Sequence, residues 1–244
     1  MSDHHDDVLS SLAAGRTPEG LPTTSRGGPD VSVRPTIPAD ADDLGAIHTT
    51  TMRAALAAGA GIAADDEALS VIDPGDLALA WANAAAVTER GHHVLTALDG
   101  KDVVGLAAIA PAAPATQDEA EQAAQAGDAA QAGDAAQAAQ ATQADEAPSE
   151  ALLAARRGTL LEILALEISP GAERVGHGSR LLAACADLAR DSGATALSIW
   201  VVRGDDPRQR FLDAAGFAPT GRRREIPVGS AEAVQDEWWA TLGS

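Results

Sequence analysis

Tyrosine is absent from the 244 residues, phenylalanine occurs twice and cysteine once. No tyrosine can act as an acid or base in any mechanism, and the core must be mostly aliphatic. The single Cys185 excludes an intrachain disulfide and any cysteine-based metal cluster. A reducing cytoplasm fits that cysteine usage. No run of about 18 apolar residues occurs, so no membrane-spanning helix is expected. The first residues, "MSDHHDDVLS", are acidic where a signal peptide would be basic. Excess positive charge is missing too. The formal charge of −19 argues against binding to a phosphate backbone, so no nucleic-acid partner is expected.

The acidity is unevenly spread. Of the −19, −8 falls in residues 112–150 and −3 in residues 1–30, which leaves −8 for the rest of the chain. Residues 1–30 mix Gly, Pro, Ser, Thr and charge without periodicity and read as a disordered tail. Residues 112–150 contain "AAQAGDAAQAGDAAQAAQATQADEA", a low-complexity insertion with no large apolar residue to pack on anything. A frayed helix and plain disorder are both open there. The expectation is a single domain over 31–244, interrupted by 112–150.

Within that domain "VSVRP" at 31–35 reads as a strand. "ADADDLGAIHTTTMRAALAAG" reads as a helix, and "DLALAWANAAAVTERG" as a second helix ending at Gly91. "HVLTALDGKDVVGLAAIA" is two strands joined by Asp-Gly, a hairpin signal. "TLLEILALEIS" at 159–169 is mostly apolar and reads as a central strand. A helix follows, with Leu181, Leu182, Cys185 and Leu188 on one face. "ATALSIWVV" is a strand, and "DPRQRFLDAAGF" is a short helix closed by Gly216. "GRRREIPV" and "VQDEWWATL" form a terminal hairpin. The order β-α-α-β-β-β-α-β-α-β-β predicts an α/β sandwich around a mixed sheet.

The informative stretch is "ISPGAERVGHGSRLLAACADLAR", residues 168–190. A strand ends, a loop with two glycines follows, and a helix begins. Free N–H groups from Arg174 to Arg180 can face phosphate oxygens there, helped by the helix dipole. Gly176 and Gly178 allow close backbone approach, and Ser179 is placed to cap the helix. A P-loop is excluded because no GK[ST] follows. A dinucleotide fingerprint is weak, since Leu181 occupies its third glycine position. A phosphate-bearing ligand and a purely structural strand-to-helix turn both remain open on these residues alone.

Residues 159–226 resemble the acetyl-CoA-binding half of the GNAT N-acetyltransferase superfamily. That family's signature, Arg/Gln-x-x-Gly-x-Gly/Ala, corresponds to "ERVGHG" at Glu173 to Gly178. "DDPRQRFLDAAGF" corresponds to its next helix. The resemblance implies a GNAT-like, mostly antiparallel central sheet flanked by helices. It implies acetyl transfer from acetyl-CoA, as cosubstrate and without a metal, to a primary amine on a small molecule or peptide. It implies CoA contacts from Leu166, Ile168, Arg174, Val175, Gly176, His177, Gly178 and Ser179, chiefly through the main chain, and a place beside CoA for Asp205. The alternative is a degenerate member that binds CoA as a sensor or scaffold. The oligomeric state is left open, a homodimer included.

The chain departs from the family pattern at Glu173, in the usual Arg/Gln slot, at Asp205, where Asn is common, and at Leu212, where a Tyr often protonates the leaving thiolate. Glu162 is the candidate general base. Period-two alternation puts it on one face with Leu164, Leu166 and Ile168, where apolar neighbours would raise its pKa. Glu167 then faces the other way and reads as structural, or as the base if the register is off by one. His48 either lines the acceptor pocket or sits in the core. His92 and His93 point to opposite faces and make no joint metal site. Arg222 to Arg224 read as a solvated strand end.

Overall fold

Hairpins build most of the sheet. The computed structural model describes residues 31–87, 89–112 and 159–243. Strands β1 (Val31–Pro35), β2 (His93–Asp99), β3 (Asp102–Pro111) and β4 (Leu160–Ile168) pair antiparallel in succession. The β2–β3 turn closes as the Asp-Gly signal predicts, with Gly100 at φ 61°. β5 (Ala196–Val202), β6 (Ala218–Val228) and β7 (Ala231–Thr241) form a second antiparallel group. The full order is β1-β2-β3-β4-β5-β7-β6, and β4–β5 is the parallel pair that joins the two groups. The predicted order of elements is the observed one.

Helices α1 (Ala41–Ala60) and α2 (Pro74–Ala85) cover one face of the sheet. α3 (His177–Asp191) and α4 (Asp206–Ala214) cover the other. Beneath α3, Ile163, Leu166, Leu181, Cys185, Leu197 and Ile199 form a buried aliphatic cluster. Cys185 is the small core residue its helical position predicts, and burial pushes its thiol up to about 12. α1 spans both strand groups. Its Leu44 and Ile47 pack with Leu106, Ala108 and Ala165, and its Leu56 and Ala57 pack with Val202 and Ala233.

α2 is shorter than its sequence suggests. Pro74 occupies the first turn, and Asp73 Oδ1 accepts from the N–H groups of Gly75 (2.8 Å) and Asp76 (3.1 Å). The helix ends at Ala85, six residues before Gly91. Ala86 and Val87 donate three residues back, to the carbonyls of Asn83 and Ala84. That tightening carries the chain out of α-geometry as β-branched Val87 arrives. The expected tail, 1–30, lies outside the described residues, as do residues 113–150 of the insertion.

Gly45 lets α1 meet α2. A Cβ there would lie 2.7 Å from the Ala78 nitrogen and closer still to the Pro74 carbonyl oxygen, both backbone atoms. At an open helical site Gly→Ala gains about 1 kcal/mol. At this site the sign reverses, and Gly45→Ala is expected to lose about 1–3 kcal/mol. Urea unfolding midpoints check this, and a stabilised variant would contradict the close approach.

Candidate functional site

The site starts from an irregularity in β4. Ala108 pairs with Ala165 and Ile109 with Ile163, so Leu164 has no partner on β3. This is a β-bulge, and one extra residue reverses the alternation beyond it. Leu161 and Ile163, and then Leu166 and Ile168, face α3. Glu162, opposite Ala110, and Glu167, opposite Leu106, face α1 together with Ala165. Period-two reading through Leu164 is thereby corrected. Glu162 and Glu167 share a face, while Leu166 and Ile168 lie on the other. Leu164 itself is 57% exposed.

Next to the bulge the sheet opens. β4 and β5 pair from Leu160↔Ala196 only as far as Ile163↔Ile199, although β4 runs on to Ile168 and β5 to Val202. β4 stays paired to β3, and β5 to β7, along those later residues. A wedge-shaped gap therefore lies between two intact half-sheets, edged by main-chain N–H and C=O groups.

The loop from β4 to α3 is strained. Arg174 has φ 63° and is the one non-glycine residue with positive φ among the described residues. Such a conformation costs of order 1 kcal/mol and is concentrated at functional sites. Gly176, at φ 95°, is the N-cap of α3. Ser179 thus lies inside the first turn and does not cap it, because the helix starts at His177 rather than later. No side chain caps this helix start, whose N–H groups remain available to an anion. A Cβ on Gly178 would make only ordinary contacts, 3.7–3.8 Å, with Phe211 and Ile168. Packing within the chain thus does not by itself require glycine at 178. Val175 is exposed, and the His177 side chain is buried with both ring nitrogens unpartnered among the described residues.

Across the open end of the gap, the Arg208 guanidinium donates to both Glu167 oxygens, at 3.0 and 2.6 Å. Arg208 Nε also donates to Asp205 Oδ2 at 3.1 Å, and Asp205 Oδ1 accepts from the Arg208 N–H at 3.2 Å. Both oxygens of Asp205 are thus used in capping α4 and holding Arg208. Burial pushes the Glu167 carboxyl up, but Arg208 outweighs it and holds the group below its ordinary value. His48 of α1 sits close enough to feel both charges. Burial lowers its pKa, against the opposing pull of Glu167. Its ring lies 5.3 Å from that of Trp81 on α2.

Glu162 lies in a different setting. It is half-buried, and burial raises its pKa, with Arg224 opposing and Glu237 reinforcing. Ser198 of β5 is its register partner, with a buried hydroxyl. Glu237 is buried and accepts from Thr220 Oγ1 (2.9 Å) and Arg222 Nη1 (3.0 Å). Arg222 and Arg224 stack over Trp200, at 5.4 and 4.5 Å from its ring centre. Arg223 and Arg224 are exposed, as a solvated strand end implies, and only Arg222, paired with Glu237, departs from that reading by being partly buried. Alternation along β6 carried no sign of the stack, because Trp200 sits two strands away. Leu212, where the resemblance places a proton donor, is fully buried in the aliphatic cluster beneath α3.

The Glu167–Arg208 pair links stability to pH. A carboxylate held below its ordinary value stabilises the fold above about pH 4.3 and loses that contribution as pH falls further. Glu167→Gln leaves the buried guanidinium without one partner and should cost about 3 kcal/mol at pH 7. Thermal unfolding from pH 7 to 3.5 should show the wild-type advantage shrinking below pH 5. A gap between the two proteins that is constant with pH would contradict the assignment.

Residues 65–217 match the acetyltransferase (GNAT) family. No curated protein matches the chain. Among solved structures, the fold is similar to that of an N-acetyltransferase from Staphylococcus aureus Mu50, with 12% identity over 88% of this chain and 99% of that one, at a TM-score of 0.54. It is also similar to PaiA N-acetyltransferase from Thermoplasma acidophilum in complex with coenzyme A, with 13% identity over 84% and 98% of the two chains, at a TM-score of 0.52. A third similar structure is yncA from Salmonella typhimurium with its cofactor acetyl-CoA, at 16% identity over 88% and 95%, with a TM-score of 0.51. With the seven-stranded sheet and the strained loop before α3, the match over 65–217 shows that the chain belongs to the GNAT acetyltransferase family.

Proposed function

We propose that the protein transfers an acetyl group from acetyl-CoA to a primary amine, directly, in a ternary complex. The observation that carries this reading is the end of β4–β5 pairing at Ile163↔Ile199, on the strand that leads into the Arg174–Gly176 turn. A gap with free main-chain groups suits an extended amide-containing arm, and an uncapped helix start suits a pyrophosphate. PaiA and yncA, which share the fold, were solved with coenzyme A and acetyl-CoA. In this reading the main chain of Leu166 and Ile168 pairs with the pantetheine arm. The N–H groups from Arg174 to Ser179 meet the phosphates, and Asp205 serves by fixing the start of α4 beside them.

The amine nitrogen attacks the thioester carbonyl carbon. A C–N bond forms as the C–S bond breaks, CoA leaves as its thiolate, and one proton leaves the nitrogen. Glu162 takes that proton. Its neighbourhood raises its pKa towards working pH, whereas Glu167 is tied to Arg208 and held low. Solvent protonates the thiolate. An ordinary thiol pKa of about 8.5 makes it a tolerable leaving group without a tyrosine acid.

Acetyl-CoA should raise the melting temperature of the wild type, because it binds only the folded state. Gly176→Asp should abolish that shift, since it places a carboxylate and a left-handed non-glycine residue at the anion site. A shift retained in that variant would put the cofactor elsewhere.

Glu162→Gln should retain the acetyl-CoA shift while turnover on an accepted amine falls roughly 10²–10⁴-fold at pH 7. The wild-type rate should rise with pH as Glu162 deprotonates, and the variant should lose that acidic limb. Turnover close to wild type would remove Glu162 from the base role. A melting shift with no thiol released for any amine would leave a CoA-binding module.

A further inference from the structure

The geometry points to Glu167 and Arg208 as positioning residues that set the width of the β4–β5 gap. This inference rests on the acetyl-transfer reading for its catalytic consequence, but its structural content stands apart. Beyond Ile163↔Ile199 no main-chain bond joins the half-sheets. Glu167 belongs to one half, through β4 and its pairing with Leu106. Arg208 belongs to the other, in the first turn of α4, which directly follows β5. Theirs is an ion pair that links the two halves at the open end of the gap. Arg34–Asp40 lies within the first half, and Arg203–Asp236 and Arg222–Glu237 lie within the second.

α1 also spans the seam, but through apolar contacts, which resist separation without fixing a distance. A two-pronged guanidinium–carboxylate pair is directional and sets both separation and angle. Asp205 fixes the guanidinium from behind, through Nε, so Arg208 reaches Glu167 from a set position. The pair sits at the open end of the wedge, where a small change of angle at the last paired residues moves the edges furthest. It works as a strut, and any substrate arm lying between the strands meets a gap of preset width.

The test separates holding the gap from holding the fold. Spin labels at Pro170→Cys, just past β4, and Arg210→Cys, on α4, report the distance across the opening. Both positions are exposed, and native Cys185 is buried with a thiol pushed up to about 12, so it stays unlabelled. The wild type should give one narrow distance distribution. Glu167→Leu with Arg208→Met replaces a buried ion pair by apolar groups and should keep the melting temperature. It should broaden the distribution, weaken acetyl-CoA binding and lower turnover roughly 10- to 100-fold.

Arg208→Lys keeps the charge and loses the fork, so it should broaden the distribution by less, and it carries the test if the double variant does not fold. An unchanged distribution in the folded variants overturns the inference, even if activity is lost. A broadened distribution in a protein whose wild type binds no acetyl-CoA and releases no thiol leaves the strut standing and removes the acetyl-transfer reading.

Discussion

Between Ala108 and Ile109 of β3 no residue intervenes, yet β4 places Leu164 between their partners Ala165 and Ile163. That single surplus residue governs the site. A bulged strand bends and twists more strongly than its neighbours. β5, held along its length by β7, does not follow the bend, and its pairing with β4 stops at the residue before the bulge. The same extra residue rotates the strand end so that Glu167 joins Glu162 on the α1 face, while Leu166 and Ile168 turn into the cluster under α3. Opening of the sheet and placement of the carboxylates share one cause.

Those two carboxylates are five residues apart on one strand and are driven in opposite directions. Both are penalised by burial. Glu167 meets a guanidinium at two oxygens and stays ionised. Glu162 meets two arginines already engaged with Trp200, and a third carboxylate, Glu237, so burial prevails and its pKa rises. Neighbouring titratable groups whose environments push their pKa values apart are a recurring way of dividing acid and base roles. The net acidity of the chain contributes little to this division, which is local.

Much of this was legible in the sequence, because local chemistry sets it. Asp99-Gly100 marks a hairpin, and the apolar run of β4 marks a central strand. The loop from Arg174 to Gly178 was readable as a glycine-bearing strand-to-helix turn, because glycine and a following amphipathic helix are local facts. The bulge was not readable, since nothing in "EILALEIS" distinguishes Leu164 from a regular strand residue. Extra residues are revealed by the partner strand, which lies about fifty positions earlier. Arg208 read as one arginine of a short polar helix, and its partner is 41 residues back. Ser179 lies three positions past the observed cap, a first-turn residue rather than a cap, because Gly176 in the left-handed region takes the capping position. At Leu212 the sequence gap in the family pattern was visible, but its complete burial depended on packing beneath α3.

The lack of tyrosine has an optical side. Near-ultraviolet emission from this protein comes from its four tryptophans, with no phenol to transfer energy to them. Those indoles are unevenly placed. Trp81 lies against His48, on the side of the gap where Glu167 and Arg208 meet. Trp200 lies beneath the guanidinium groups of Arg222 and Arg224, which also act on Glu162. Trp238 and Trp239 are successive residues of β7, one packed towards the cluster under α3 and the other turned to the opposite face, in register with Ser198. Each carboxylate thus shares a charged or titratable neighbour with a different indole, Glu167 sharing His48 with Trp81 and Glu162 sharing Arg222 and Arg224 with Trp200, and the protein carries separately placed chromophores.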